Sequence, residues 1–128
     1  MMYLLDTHIV IWLAQEPQKL DERLKALLLN KNVKVYFSTV NLWEVAIKKA
    51  LGKAGFDVDV KLLYQHLIEN QYLELPVLSG HCLLVQDLPL YHKDPFDRLI
   101  IAQAMSENFT LITEDTIIPQ YPNLKLFK

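Results

Sequence analysis

The sequence has one cysteine, three glycines and almost no charge imbalance, and each shortage removes a class of protein. With Cys82 alone, no intramolecular disulfide can form, and a reducing cytoplasm is the simplest compartment. Gly52, Gly55 and Gly80 stand in neither a P-loop nor a dinucleotide pattern, so nucleoside triphosphate chemistry lacks its usual signature. No run reaches the roughly 20 apolar residues that span a bilayer. The opening "MMYLLDTHIVIWLAQEP" has no basic leader, and Asp6 interrupts it before a signal-peptide core develops, so a soluble protein without membrane association is expected. Thirteen basic against fifteen acidic residues give a formal charge of −2, which neither favours nor disfavours a nucleic-acid partner by long-range steering. Any such partner has to be argued from a site.

What is present is an alternation of patterns. The 128 residues suit one domain, 1–128, able to bury roughly two thirds of its unfolded surface. "MYLLD" reads as a buried strand ending in a carboxylate, and "THIVIWLAQEP" as a helix with Thr7 as its N-cap and Pro17 as its stop. "DERLKALLLNKN" is helical, and "VKVYFS" alternates as a strand does. "TVNLWEVAIKKALGK" has apolar residues at 42, 43, 46, 47, 50 and 51, an amphipathic helix with Gly52 as its exit. A helix over "DVDVKLLYQHLIENQ", a strand in "YLELPV", a short helix in "GHCLLVQDLPL" and a long helix from Pro95 to Glu107 follow. "TLIT" and "LKLF" supply the last strands. The fold class expected is α/β: a central, mainly parallel twisted sheet with helices on both faces, whose ligand sites gather at the carboxyl ends of the strands.

The acids are read against that rule. Asp6 ends the first strand and Asp115 follows "TLIT", so parallel neighbours would bring both to one sheet edge; alone, either is equally a cap or turn residue. Glu44 lies in the first turns of its helix, at the rim of the core or on a solvated face favoured by the helix dipole. In "HKDPFDRLIIAQA", Asp94 fits an N-cap with Pro95 at the first helical position. Asp97 shares a stripe with Ile101 and Ala104 that faces the sheet, while Arg98 takes the polar side. Four carboxylates from four elements, Asp6, Glu44, Asp97 and Asp115, would repel one another at close range unless a cation sat among them. All-oxygen ligation favours Mg²⁺ or Mn²⁺ over zinc. His8, His66, His81 and His92 show no ligand spacing and read as surface or packing residues, Cys82 as a small buried residue, and Trp12 and Trp43 as core.

The pieces "LLDTHIVIW", "STVNLWEVAIKKALGK", "DPFDRLIIAQA" and "LITED" resemble, in order and spacing, the PIN-domain family and within it the VapC-like toxins of type II toxin–antitoxin pairs. The resemblance covers nearly the whole chain. It implies a PIN-like nuclease domain, a metal-dependent endoribonuclease whose catalytic and metal-holding acids correspond to Asp6, Glu44, Asp97 and Asp115. Asp94 belongs to the "DPFDR" form as a cap or as a ligand through water. Thr7, Asn41 and Thr113 are candidates for orienting the acids or a bound water, and equally for capping, which is the reading preferred for Ser38. Many relatives carry a further acid where this chain has Ile118, so a fifth ligand is not expected. Mg²⁺ or Mn²⁺ as cofactor, an RNA substrate, a cognate antitoxin and a homodimer are the implied partners.

Lys48, Lys49, Lys53, Lys93 and Arg98 are the candidates for holding an RNA backbone, although solvated helix faces explain most such lysines. Two other functions use similar residues. A receiver-like signalling domain also carries aspartates at a parallel sheet edge, but it needs an acidic pair after the first strand, where this chain has Asp6 and Thr7. A PIN-like binding module without significant catalysis would keep the fold and lose the chemistry.

Overall fold

The computed structural model describes residues 1–53 and 56–128. Among the described residues, five strands, β1 (Met2–Leu5), β2 (Lys34–Ser38), β3 (Leu73–Leu75), β4 (Thr110–Ile112) and β5 (Lys125–Leu126), form one sheet in the order β3-β2-β1-β4-β5. Every pairing is parallel. The α-helices described between them are α1 (Thr7–Gln15), α2 (Glu22–Leu29), α3 (Thr39–Ala50), α4 (Val60–Glu69), α5 (Ser79–Val85) and α6 (Pro95–Glu107). The chain moves outward from β1 to β2 and β3, then returns to the other side of β1 with β4. That reversal opens a crevice at the carboxyl ends of β1 and β4.

Alternation along the strands makes two cores. Tyr3, Leu5, Val35, Phe37 and Ile112 face one way and pack with Ile9, Val10, Leu24, Val45, Leu63 and Leu67 from α1 to α4. Leu4, Leu111 and Leu75 face the other way, against Ile100, Ile101, Ala104 and Phe109 of α6 and its exit. A strand buried on both sides has no polar face to spare, which is why β1 reads as an unbroken apolar run.

Helix boundaries follow side-chain chemistry. Asp21 and Asp59 accept hydrogen bonds from the first amides of α2 and α4, and Asp94 does the same for α6, with Pro95 at the first helical position. At α1 the N-cap is Asp6 rather than Thr7: Asp6 is extended and its carboxylate accepts from the Thr7 amide. Gly52 leaves α3 with φ +63°, the left-handed exit expected of glycine.

The α3 helix is rotated from its expected setting. Its buried stripe is Val40, Asn41, Glu44 and Val45, whereas Trp43 is 52% exposed and Leu51 78% exposed. Apolar spacing alone favours 42, 43, 46, 47, 50 and 51, but Thr7 of α1 and the Ser38 amide satisfy Asn41 on the other face, and Gln103 of α6 meets Ser38 beside it. Trp43 instead packs edge-on against Phe96, with ring centroids 4.9 Å apart, and Trp12 is half-buried beside His8 and Lys19. Cys82 is exposed, not buried, because the preceding residue, His81, takes the inward position on α5.

Candidate functional site

Register places the first acid. Leu5 pairs with Ile112, and the Asp6 amide donates to the Ile112 carbonyl at 2.9 Å, so the Asp6 side chain emerges at the crevice between β1 and β4. It is 2% exposed; one oxygen accepts from the Thr7 amide and the other from the Thr113 hydroxyl, each at 2.6 Å. Burial raises its pKa and the charge of Glu44 adds to this, against the lowering effect of Thr113, Thr7 and His8.

Thr7 continues into a buried polar chain. Its hydroxyl accepts from Asn41 Nδ2 at 2.9 Å, Asn41 Oδ1 accepts from the Ser38 amide at 2.6 Å, and the Ser38 hydroxyl donates to Gln103. Gln103 Nε2 then donates to the carbonyls of Leu75 and Pro76 at 3.4 and 3.3 Å. Ser38 and Asn41 form a capping box at the start of α3, and the chain ties α1, α3 and α6 together under the site.

That anchoring turns Glu44 inward. It is 2% exposed, with Oε2 at 2.6 Å from Lys48 Nζ one turn later. Among the described residues, Oε1 of Glu44 is buried with no hydrogen-bond partner. An unpartnered buried carboxylate oxygen beside other acids is a position that a cation would satisfy. The donors around it are carboxylates, so the residues fit a hard divalent ion such as Mg²⁺ or Mn²⁺.

Asp97 lies in the first turn of α6. Its pKa is pushed up to about 7 by burial first, then by the charges of Asp6, Asp94 and Glu44, with His92 acting in the opposite sense. Those charges bring three sequence-predicted acids and Asp94 into one field. Asp94 Oδ1 is committed to the amides of Phe96 and Asp97, at 2.8 and 3.2 Å. Asp115 joins from the far side through His92: Nε2 lies 3.0 Å from Asp97 Oδ2 and 2.9 Å from Asp115 Oδ2. The other Asp115 oxygen caps Ile117 and Ile118, and the Asp115 amide donates to the Thr113 hydroxyl. Burial raises Asp115, yet the His92 hydrogen bond and the two amides outweigh it and the net shift is downward. For His92, burial lowers the pKa but Asp115, Asp97 and Asp94 together raise it.

His92 therefore departs from the expectation of a packing residue: His92, Asp97 and Asp115 present ligand-type atoms all within 4.8 Å of one another. No spacing rule could find this histidine, since Asp115 lies 23 residues further along the chain. Gln103 was also missed, although a polar residue in the apolar stripe of α6 was a usable signal. His81 is buried between the Leu78 amide and Glu107. Ile118 is wholly buried in the second core, so no ligand stands there.

The basic candidates separate. Lys48 borders the site, and burial lowers its pKa less than the Glu44 hydrogen bond and the charges of Glu44, Asp94 and Asp97 raise it. Lys49 is exposed and pairs with Asp57, and Lys53 and Lys93 are exposed. Arg98 is buried, contrary to the expected polar placement. Its guanidinium donates to the carbonyls of Pro89 and Val85 at 2.9 Å and of His92 and Leu88 at 3.3 Å, and to the Tyr121 hydroxyl at 3.3 Å. A group so engaged braces the 85–92 segment against α6. A cavity of about 310 Å³ opens beside Glu44 and Lys48, walled by Ile11, Trp12 and Phe56.

With this geometry in place, comparison with known proteins assigns the class. The sequence matches the PIN domain family over residues 3–124, and the chain belongs to that family. The receiver-like alternative falls with that match. Comparison with curated protein sequences gives no match. Among solved structures, the chain is similar to one from Rickettsia felis VapBC2 bound to a promoter DNA fragment, with TM-score 0.75, 21% identity and coverage of 99% of this chain and 98% of that one. It is also similar to DNA-bound VapBC from Salmonella typhimurium, with TM-score 0.72, 14% identity and coverage of 99% and 97%. FitAcB from Neisseria gonorrhoeae gives TM-score 0.65, 25% identity and coverage of 99% and 97%.

Proposed function

We propose that the protein is a Mg²⁺- or Mn²⁺-dependent endoribonuclease, the toxin of a type II toxin–antitoxin pair. The observation that carries this reading is the unpartnered, buried Oε1 of Glu44 in a field shared with Asp6 and Asp97. Membership of the PIN family, and likeness to chains solved in VapBC and FitAcB assemblies, support nuclease chemistry and an antitoxin partner. The crevice at the carboxyl ends of β1 and β4 is where a parallel sheet of this kind holds its ligands, which supports placing the substrate there.

Asp6, Glu44, Asp97 and Asp115 would hold the ion, with Asp94 acting through water. When bound, the ion supplies Lewis-acid polarisation of a water and neutralises charge on the phosphodiester. Thr113 and the Thr7 amide keep Asp6 in one rotamer, and the Asn41–Ser38–Gln103 chain holds the helix that presents Glu44. Lys48, beside Glu44, would meet a phosphate oxygen once Glu44 engages the ion, and the exposed Lys93 would be a second contact to the backbone. RNA rather than DNA, homodimerisation and a cytoplasmic site of action are part of this reading; among the described residues no helix is long and apolar enough to cross a membrane.

Purified protein incubated with single-stranded RNA should cleave it with Mg²⁺ or Mn²⁺, stop on EDTA, and lose activity in Asp6→Ala and Asp97→Asn variants that remain folded. Cleavage that persists in EDTA and in both variants rejects the reading. A folded wild type that binds metal and cleaves neither RNA nor DNA favours the binding module instead.

A further inference from the structure

On α1 the residues His8, Ile11, Trp12 and Gln15 stand at i, i+3, i+4 and i+7, one stripe of the helix, yet none of them is buried. Ile11 and Trp12 pack against the first core and also line the cavity of about 310 Å³ beside Glu44 and Lys48. Phe56 and Val58, from the segment before α4, complete its apolar wall, and Gln15 ties α1 to that segment, its Nε2 donating to the Asp57 carbonyl at 3.3 Å. Thr7, Glu44 and Lys48 belong to the same lining, so the cavity is continuous with the acid site.

Three acids of the lining are each matched by a lysine: Glu44 by Lys48 at 2.6 Å, Asp57 by Lys49 at 2.7 Å and Glu16 by Lys19 at 2.9 Å. With those charges balanced, the exposed Lys53 gives the rim a positive surplus, which suits a polyanion. Pockets for small organic ligands begin at about 300 Å³, so the space suits one nucleoside. A helix of about 10–12 Å diameter does not fit. Aromatic and aliphatic walls with polar groups at the rim accept a flat ring that is apolar on its faces and polar at its edge. Lys19 reaches the Trp12 ring from outside the lining, at 5.6 Å from its centroid.

We propose that this cavity is a nucleobase subsite: a base next to the phosphate at the metal centre enters it and stacks on Trp12. The proposal rests on the nuclease reading above and adds a part of the substrate that carboxylates cannot recognise. It also restricts the substrate to unpaired strands, because a base inside a duplex leaves its stack only at a cost.

Fluorescence reads the contact directly. The chain has two tryptophans, so Trp43→Phe leaves Trp12 as the sole emitter, and Asp97→Asn in the same protein keeps the strand intact. With Mg²⁺ present, a short single-stranded RNA of mixed sequence should quench Trp12, whereas an abasic strand of equal length and charge should not. The same RNA in a full duplex should quench little. Anisotropy of end-labelled strands gives the affinities. Trp12→Ala should bind the RNA about tenfold more weakly and the abasic strand as tightly as its parent. Trp12→Phe should stay within about threefold of the parent on RNA, since a flat aromatic face is retained.

Trp12 left unquenched at saturating RNA overturns the proposal. So does a Trp12→Ala variant that weakens for the abasic strand as much as for RNA, and one with unchanged RNA affinity assigns the cavity to a protein side chain instead. If Trp12→Ala fails to fold, Trp12→Leu, which keeps apolar volume against the core without an aromatic face, decides in its place. Wild type that binds RNA through this subsite and cleaves none of it rejects the nuclease reading alone.

Discussion

Lys48 Nζ stands 2.6 Å from Glu44 Oε2, and the second oxygen of the same carboxylate is buried with no partner among the described residues. The lysine ammonium supplies the positive charge that the buried acid needs. Its side chain is 26% accessible, so it can swing away to water at modest cost.

Removing that charge should therefore matter most when metal is absent. Lys48→Met is expected to lower the stability of EDTA-treated protein by about 1–3 kcal/mol, below the loss for a fully buried pair because Lys48 is partly solvated. Saturating Mn²⁺ should shrink the difference. Thermal unfolding with and without metal measures both, and an equal loss in the two conditions contradicts a shared cation position.

Asp97 makes metal-free stability depend on pH. Its carboxyl is raised to about 7 in the folded protein, so between roughly pH 4 and 7 the folded state holds a proton that the unfolded chain, titrating near 3.9, has released. Stability from this group is complete at the acid end and declines as pH rises through about 7, by on the order of 3–4 kcal/mol in total. The raised Asp6 and His92 act in the same direction; Asp115, whose pKa is lowered, acts oppositely and only in the acid range. Denaturant titrations in EDTA from pH 5 to 8 should show the decline, and Asp97→Asn should flatten it. Metal binding at pH 6 should release a proton, seen as a buffer-dependent heat in calorimetry.

Arg98 should prove to be a stability residue. Its guanidinium supplies five hydrogen bonds to buried acceptors, and lysine cannot reproduce that fork. Arg98→Lys is expected to cost about 2–4 kcal/mol in chemical denaturation, since several carbonyls lose a charged donor at once. Under conditions where the variant is folded, its RNA affinity should match wild type; a selective loss of RNA binding at full stability would return Arg98 to the substrate groove.

Cys82 is exposed on α5, so the native protein should react with a thiol reagent at a rate within about tenfold of the urea-unfolded chain. A protected thiol in the native state would mean that this face of α5 is covered.

Much of the architecture was legible because it depends on neighbours in the chain. The apolar run of β1, the turn chemistry of Asp94 and Pro95, and the Gly52 exit each act within a few residues, and each lies where the pattern puts it. The acids at the strand ends followed from the parallel-sheet rule, which the order β3-β2-β1-β4-β5 satisfies at Asp6 and Asp115. The setting of α3 was not legible, since its apolar residues point to one face and its polar contacts select another.

By itself, then, the sequence determined the alternation of strands and helices, the caps, and the supply of carboxylates to one sheet edge, all governed by local periodicity and backbone preference. Tertiary structure alone decided that Asn41 reaches Thr7 across 34 residues, that Ser38 reaches Gln103 across 65, and that Thr113 reaches Asp6 across 107. It also buried Arg98 and set His92 between Asp97 and Asp115. Buried polar groups must find partners wherever the folded chain brings them, and no spacing along the sequence records which partner that will be.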